Sequence, residues 1–406
     1  MLVIQKYGGS SLADIKCMEN AAKRIISYAQ KGCKLVVVLS AQGSHTDELL
    51  NLAKSYNHEG SKRELDMLLA CGEQQSIALM SLMLARFGYA AKSLNAFQAG
   101  ITTNSNYTTS RIKNINTARI LSELEQNNIV IVAGFQGINH LNDITTLGRG
   151  GSDTTAVALS AALNATLCEI YTDVDGVYSA DPRIVKNAKK LKEISYFEML
   201  EMAALGAKVL QKRSVGLAKK YGVKLIVSSS FNNCSGTTIK EECLTEDVFI
   251  SGVALDIDII RINICDIIDA PGAWFKVFSV MNSANISIDF IQQTKTDKAT
   301  LDISFTIGQN DFDAAKDVIQ KNKCRLGYQV LKHNNELAKL SVVSSGMATH
   351  PGVPSIMFEA LFDAGVTTDS VCTSEIRTSV LINRHDAKRA ANAVHNKFLS
   401  KDYIKT

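Results

Sequence analysis

The chain lacks the patterns that mark secreted, zinc-stapled or membrane-spanning proteins. Its nine cysteines include no C-x-x-C pair and accompany no histidine cluster, so neither a disulfide framework nor a structural zinc site is indicated. No apolar run suggests a membrane span, and residues 2–6 show no charged-then-apolar leader. We therefore expect a protein of the reducing cytoplasm without a membrane partner.

A strong charge of either sign is also missing. The net charge is +4 over 406 residues and no block of Lys and Arg stands out, which argues against binding nucleic acid through its phosphates. Hydrophobic residues at 46% and charged residues at 21% are typical of folded proteins with ample core. This length predicts two or three domains, and small molecules are the favoured partners.

Residues 148–153, Gly-Arg-Gly-Gly-Ser-Asp, are the most informative stretch. Three glycines in four positions let backbone amides approach something other than protein. Ser152 and Asp153 are good N-cap residues, so we expect the loop to open a helix whose free N–H groups face an anion. Arg149 adds donors suited to a carboxylate. Alone, the pattern also fits an ordinary helix entry, so other motifs must decide.

A second glycine turn, residues 6–11 (Lys-Tyr-Gly-Gly-Ser-Ser), follows the first apolar strand. Because the lysine precedes the glycines, this is not the G-x-x-x-x-G-K-[ST] phosphate loop. A point charge beside free amides still suits a phosphate group.

Three further apolar runs, at residues 34–40, 129–137 and 169–176, end in glycine or polar residues. Such runs are typical of parallel strands buried on both faces, and they predict an open α/β sheet whose loops meet at the carboxyl edge. Between them, Glu73 interrupts an apolar helical stretch. A carboxylate there is paired either with a charge of the protein or with a ligand.

The C-terminal part contains an internal repeat with an offset of 80 residues. Ala270-Pro271-Gly272, followed by Asp289, matches His350-Pro351-Gly352, followed by Asp369. Each copy resembles the split βαβ pattern of ferredoxin-like domains. We expect an extra strand near residues 249–255 to complete the sheet of the second copy. The predicted domains are residues 1–240, residues 257–333, and residues 248–256 together with 334–406.

Four motifs in order resemble the aspartokinases of the amino acid kinase family, over essentially the whole chain. Residues 6–11 resemble the family's K-[FY]-G-G-T-S motif, with Ser10 in place of threonine, and residues 148–153 its G-R-G-G-S-D motif. Residues 171–183 resemble its nucleotide-binding stretch and residues 204–210 its L-G-A-K-V-L segment. The repeats resemble the tandem ACT domains with which these enzymes sense an amino acid.

The resemblance implies an open, mostly parallel sheet between helices, followed by two βαββαβ ACT domains. It also implies transfer of the ATP γ-phosphoryl group to the β-carboxylate of L-aspartate, the first step of lysine, threonine and methionine synthesis. Mg²⁺ would bridge phosphate oxygens, held largely by nucleotide and water, and its protein ligands stay unassigned. Lysine is the expected feedback effector, with threonine as the main rival. A homodimer or dimer of dimers through the ACT domains is expected.

The resemblance assigns residues to four groups. The catalytic group is Lys6, Gly8, Gly9 and Asp153. The substrate group is Ser40, Thr46, Glu73, Arg149, Gly150 and Ser152. The nucleotide group is Lys6, Ser10, Thr172, Asp173, Tyr178, Arg183 and Lys208. The effector group is Asp266, Gly272, Ser287, Asp289, His350, Thr373 and Ser374.

Roles within these groups follow from the same resemblance. Lys6 and the glycine amides would hold the transferring phosphoryl group, and Asp153 would orient Lys6. Arg149 would bind the α-carboxylate of aspartate and Glu73 its ammonium.

Two alternatives remain. One is another amino acid kinase, acting on glutamate, acetylglutamate or a nucleotide; the pair of Glu73 and Arg149 together with the ACT repeats favours aspartate. The other is a non-catalytic amino-acid sensor built on an inactive kinase fold. The presence of Lys6, Arg149 and Asp153 favours an active enzyme.

Overall fold

The computed structural model of the chain describes residues 1–57, 60–206, 209–241, 250–296, 300–344, 352–400 and 404. It contains two compact units. The first comprises Met1–Tyr178 and Lys189–Glu246, and the second comprises Ser179–Ala188 and Asp247–Lys405. The sequence analysis places residues 1–240 in one domain, whereas Ser179–Ala188 belongs to the second unit. Ala180 and Val185 of that segment are buried in the second unit's apolar core.

The first unit alternates strands and helices along most of its length. Its strands are β1 (Leu2–Tyr7), β2 (Lys34–Leu39), β3 (Ala91–Leu94), β4 (Ile101–Thr103), β5 (Ile112–Ile115), β6 (Ile129–Ala133), β7 (Gln136–Ile138), β8 (Ile144–Thr146), β9 (Leu167–Thr172), β10 (Glu193–Ser195), β11 (Leu225–Ser229) and β12 (Thr237–Lys240). Its helices are α1 (Ile15–Gln30), α2 (His45–Tyr56), α3 (Lys62–Arg86), α4 (Ala118–Glu125), α5 (Gly151–Ala162), α6 (Tyr196–Ala204) and α7 (Lys212–Tyr221).

One mostly parallel sheet forms the centre of this unit, in the order β10-β12-β11-β9-β1-β2-β6-β3. Side chains of β1 alternate between its two faces. Val3 and Tyr7 join an apolar core with residues of α1 and α3, whereas Lys6 faces Asp153 of α5. Helices therefore cover both faces, as the apolar strand runs predicted, and the loops after the parallel strands collect at the carboxyl edge. A smaller sheet, β5-β4-β7-β8, lies beside it.

Helix α3 has 25 residues and a composition apolar enough to cross a membrane, a feature that the sequence analysis did not recognise. In the structure one side of this helix packs against the sheet, and its buried residues include Leu69, Met80 and Leu84. Asp66 and Glu73 are buried on the same helix. Burial of this side in the core of the unit accounts for part of its apolar character, whereas Leu79 and Leu82 of the same helix are exposed.

The start of α5 corrects one prediction. Neither Ser152 nor Asp153 is the N-cap; the helix begins at Gly151, and Gly150 is the N-cap with a left-handed φ of 67°. Gly148 also has a positive φ, and its carbonyl accepts from the amide of Gly151 at 3.0 Å. These glycines tighten the turn, so that Asp153 lies inside the first helical turn.

The second unit contains two ferredoxin-like repeats. Its strands are β13 (Ile250–Asp256), β14 (Ile259–Ile268), β15 (Asp289–Lys295), β16 (Thr300–Gly308), β17 (Val330–Asn334), β18 (Leu337–Ser344), β19 (Thr368–Thr373) and β20 (Arg377–Asn383). Its helices are α8 (Ala273–Ser283), α9 (Phe312–Lys321), α10 (Lys323–Leu326), α11 (Gly352–Asp363) and α12 (Ala387–Ser400).

The two sheets have equivalent orders, β15-β16-β14-β17 and β19-β20-β18-β13. Strand β13 pairs antiparallel with β18, in the place that β17 takes beside β14 in the first repeat. The predicted pairing of the early strand with the second repeat is confirmed. The chain thus completes the second sheet with a strand that precedes the first.

The repeats exchange ion pairs across their interface. Lys339 of β18 contacts Asp289 at the start of β15, and Arg261 of β14 contacts Asp369 of β19. Asp289 and Asp369 are the matching residues of the 80-residue repeat, so the two pairs are related by its internal symmetry. Burial raises the pKa of Asp289, but the charge and hydrogen bond of Lys339, the Phe290 backbone hydrogen bond and the charge of Arg377 together lower the pKa overall.

We predict that Lys339→Met destabilises the second unit by about 1–3 kcal/mol, because Lys339 is only 4% exposed and Asp289 would lose its main partner. Partial exposure of Asp289 keeps the loss below that of a fully buried pair. Lys295→Met, which breaks an exposed pair with Asp269, is the control and costs about 0–1 kcal/mol. Equal costs in chemical denaturation would contradict the prediction.

Candidate active site

The glycine and hydroxyl loops lie together because the parallel strands end at one edge of the sheet. Each loop starts with a backbone hydrogen bond to a neighbouring strand end, 2.9–3.2 Å long: Gly8 to Tyr171, Ser40 to Tyr7, Gly134 to Leu39, and Ser230 to Thr172. The predicted catalytic and substrate residues therefore share one region of the first unit.

Lys6 and Asp153 form the central charge pair of this region. Their Nζ and Oδ1 atoms are 2.7 Å apart, and both side chains are about 10% exposed. Asp153 lies in the first turn of α5, where the helix dipole favours a negative charge. Asp153 thus contacts Lys6, the residue that the resemblance expects it to orient.

The two glycines after β1 differ in availability. The Gly8 amide donates to the Tyr171 carbonyl at 3.2 Å, whereas the Gly9 amide has no hydrogen-bond partner within the described part of the chain. A side chain on Gly9 would lie within 2.9 Å of the carbonyls of Ala41 and Gly43. Glycine is therefore required at residue 9 for the first loop to approach the second.

Glu73 is the buried carboxylate whose partner the sequence left open. It is 2% exposed; Oε1 accepts from the Ala41 amide at 3.1 Å, and Oε2 has no partner in the structure. Burial raises the pKa of Glu73 to about 7. No cation of the described residues pairs with it.

Close packing brings Glu73 to the second loop. A Cβ on Gly72 would lie 2.7 Å from the Cβ of Ala41, so only glycine lets α3 approach this closely. Ser40 directly follows β2, and Thr46 lies in the first turn of α2. Ser40 directly precedes Ala41 and Thr46 follows it by five residues, so the two predicted substrate hydroxyls lie at the two ends of the segment that contacts Glu73.

Arg149 is exposed and makes no ion pair with any residue that the structure describes. Gly150 packs so closely under Gln211 that a Cβ would overlap that side chain. Ser152 is buried against Gly134. The loop is therefore firmly held while its guanidinium is left available for a ligand.

The nucleotide group is divided between the units. In the first unit, the Thr172 hydroxyl donates to Asp173 at 3.0 Å, and the Tyr178 hydroxyl donates to Asp175 at 2.8 Å. Arg183 belongs to the second unit and pairs with Asp181 at 2.7 Å. Ser10 is exposed in a 3-10 turn after β1. Lys208 lies outside the described residues.

No cluster of three His, Cys, Asp or Glu side chains that could hold a metal occurs among the described residues. Mg²⁺ is commonly held by one or two carboxylates, phosphates and water. The donor set around Lys6 and Asp153 fits that mode and not a cage made of protein alone.

Three residues that support the site escaped the sequence analysis. Asp66 accepts hydrogen bonds beside the 148–153 loop, Arg213 donates to the Leu147 carbonyl at 2.8 Å, and Ser230 bonds the Ser11 hydroxyl at 2.7 Å. Asp66 carried the same signal as Glu73, a carboxylate in an apolar helix. Nothing local marks Arg213 or Ser230.

The effector group lies at strand ends of the second unit. Asp266 has a φ of 57° and its amide donates to Asp302, and Gly272 is the N-cap of α8. Ser287 is exposed just before β15. Thr373 and the Ser374 amide both donate to the Arg377 carbonyl, Asp289 pairs with Lys339, and His350 lies outside the described residues.

Comparisons with known proteins agree with this arrangement. A family model described as the amino acid kinase family matches residues 1–229, and one described as an ACT domain matches residues 340–398. The chain is 44% identical over 398 residues to Aspartokinase 2 of Bacillus subtilis, covering 98% of this chain and 97% of that protein. It is 44% identical over 403 residues to the aspartokinase of Corynebacterium glutamicum, covering 98% and 96%.

Solved structures give the same result for the fold. The aspartate kinase of Synechocystis is 38% identical with a TM-score of 0.56, covering 98% of this chain and 69% of that one. E. coli aspartokinase III, solved with aspartate and ADP, is 23% identical with a TM-score of 0.84 and shares the fold over 98% of this chain and 100% of that one. The chain belongs to the amino acid kinase family and, within it, to the aspartokinases, kinases that carry ACT domains.

Proposed function

We propose that the chain transfers the γ-phosphoryl group of ATP to the β-carboxylate of L-aspartate, giving 4-phospho-L-aspartate and ADP. The observation that carries this proposal is the unpaired Oε2 of Glu73, a buried anionic group that calls for a cation. The α-ammonium of an amino acid supplies that cation, and its α-carboxylate suits the free guanidinium of Arg149. Aspartate satisfies both and presents its side-chain carboxylate to the phosphoryl group.

The reaction needs no general base, because a carboxylate with a pKa near 4 is already ionised at neutral pH. It needs positioning and charge neutralisation, since an anion attacks a polyanion. Lys6, held by Asp153 at 2.7 Å, supplies a preorganised positive charge. The free amide of Gly9 is the second donor for the transferring group.

Mg²⁺ would join ATP at this edge of the sheet and neutralise phosphate charge. Thr172, Asp173 and Tyr178 would bind the nucleotide on the β9 side, with Arg183 and Lys208 as further contacts. Ser40 and Thr46 would hydrogen-bond the amino acid. These assignments rest on the family motifs and on the shared sheet edge.

Regulation is proposed to operate through the second unit. We infer that an amino acid, lysine rather than threonine, binds the effector group and prefers a less active state of the protein. E. coli aspartokinase III, which shares the fold, has been solved with lysine and aspartate. Pairing of ACT domains from two chains, as a homodimer or a dimer of dimers, would complete the effector site.

The biological setting is part of the same proposal. The reaction would open the synthesis of lysine, threonine and methionine in the cytoplasm. Free thiols on eight described cysteines fit a reducing compartment.

Lys6→Ala is expected to lower kcat by about 10³-fold or more while the KM for ATP changes only a few-fold, because Lys6 acts mainly on charge developing in the transition state. An ATP-dependent hydroxamate assay with aspartate measures this. Lys240→Ala, which removes an ion pair with Glu193 in the same sheet, is the control and should keep its turnover. Failure of the wild type to use aspartate would refute the proposed function; near-normal turnover of Lys6→Ala would refute the mechanism.

Glu73→Gln is expected to raise the KM for aspartate by about tenfold or more, with little effect on ATP. In the wild type, kcat/KM for aspartate should rise with pH and level off above about 7, as Glu73 ionises. The Glu73→Gln variant should lack this rise of kcat/KM with pH. A pH profile that is unchanged by the substitution would place Glu73 outside the aspartate pocket.

Glu73→Gln should also raise the free energy of unfolding of the ligand-free protein. The native pKa of Glu73, about 7, lies above its unfolded value of 4.5, so its ionisation lowers stability as pH rises between them. At pH 8, Glu73→Gln should gain on the order of 1–3 kcal/mol in the free energy of unfolding, and the gain should vanish near pH 4.5.

Lysine is expected to inhibit the kinase, and Ser287→Ala should raise the half-inhibitory concentration about fivefold by removing one hydrogen bond, with basal activity retained. Ser283→Ala, at the end of α8, is the control, and its half-inhibitory concentration of lysine should equal that of the wild type. Unchanged activity at saturating lysine and threonine, alone and together, would refute feedback control.

A further inference from the structure

Asp66 is a buried carboxylate of the first unit whose two oxygens both accept hydrogen bonds, and the reaction as proposed does not use it. It is 0% exposed and lies on α3, seven residues before Glu73. Seven residues are about two helical turns, so both carboxylates lie on one face of α3.

All the partners of Asp66 are donors, and they come from two segments beside the 148–153 loop. The Thr108 amide donates to both carboxylate oxygens, at 3.1 and 2.9 Å. The amide and hydroxyl of Thr146 donate at 2.8 and 2.6 Å. Thr146 ends β8, two residues before Gly148, so Asp66 holds the chain just where the loop of Arg149 begins.

Further hydrogen bonds hold the chain just before Gly148. The Thr146 carbonyl accepts from the amide and hydroxyl of Ser110, both at 2.9 Å. Arg213 donates to the carbonyls of Leu147 and Ser110, both at 2.8 Å. A Cβ on Gly148 would lie 3.0 Å from the Thr108 carbonyl. The entry to the loop is therefore held by contacts from three segments, α3, residues 108–110 and α7.

We propose that Asp66 is a positioning residue for substrate recognition: it ties the loop that carries Arg149 to the helix that carries Glu73. One helix then presents the group for the ammonium of the amino acid and, through Asp66, sets the group for its α-carboxylate. Helix α3 thereby fixes the distance between Glu73 and the loop that carries Arg149. This inference rests on the proposed function, because it acts through Arg149 and Glu73.

Asp66→Asn tests it while keeping the side-chain shape. The new amide must point one N–H group at a donor of Thr108 or Thr146, so the loop loses at least one anchor. We expect the KM for aspartate to rise about tenfold or more, with kcat and the KM for ATP within about threefold of the wild type. A general loss of packing would lower activity without this split.

Asp143→Asn is the matched control. Asp143 also accepts hydrogen bonds from an α3 side chain, Arg63, and from Tyr107, but it makes none to residues 146–149. Its loss should lower thermal stability without changing the KM for aspartate. Equal KM effects in the two variants would overturn the positioning role.

A second pair of variants keeps the test decisive if Asp66→Asn does not fold. Thr146→Val removes the hydroxyl donor and keeps the backbone donor, whereas Thr146→Ser keeps both. We expect the KM for aspartate to rise about threefold to tenfold in Thr146→Val and to stay near wild type in Thr146→Ser. Wild-type KM values for aspartate in Asp66→Asn, or in Thr146→Val if Asp66→Asn does not fold, would overturn the inference. A wild type that does not phosphorylate aspartate would instead refute the proposed function.

Discussion

Burying a carboxylate is costly unless donors or cations compensate it, and the first unit buries two of them on one helix. Asp66 receives its compensation from the protein, through three donor groups of Thr108 and Thr146. Glu73 receives one backbone hydrogen bond, and its second oxygen has no partner. The fully hydrogen-bonded carboxylate, Asp66, links α3 to the backbone at Thr108 and Thr146. The half-satisfied one is the proposed binding group for the ammonium of the substrate, and burial raises the pKa of both carboxylates.

Close approach of backbones explains why glycine recurs around this helix. Gly72 lets α3 reach Ala41, and Gly9 lets the first loop reach the second. Each contact brings an amide or a charge within reach of the same sheet edge. A larger residue at either position would separate groups that must act on one substrate, even though neither glycine has a side chain to contribute.

The second unit joins two similar small domains, the two ferredoxin-like repeats. Each repeat buries its own apolar core, and a small apolar cluster lies between them. The interface also holds ion pairs, which include those of Lys339 with Asp289 and of Arg261 with Asp369. Asp289 is also a proposed effector contact. An effector that binds it must therefore compete with Lys339 or join it, which gives effector binding a direct route to the interface between the repeats.

Local patterns in the sequence determined four apolar strands of the large sheet, the glycine turns, the repeat and the choice of Glu73 as an unusual carboxylate, because hydrophobic period, glycine and buried charge are short-range signals. The assignment of the early strand to the sheet of the second repeat followed from the repeat, whereas its register against β18 did not. Only the tertiary structure decided that Gly150 and not Ser152 caps α5, that Ser179–Ala188 packs in the second unit, and that Asp66 and Arg213 hold the Arg149 loop. Those contacts join residues far apart in the chain, and no local pattern encodes which donor meets which acceptor once the chain has folded.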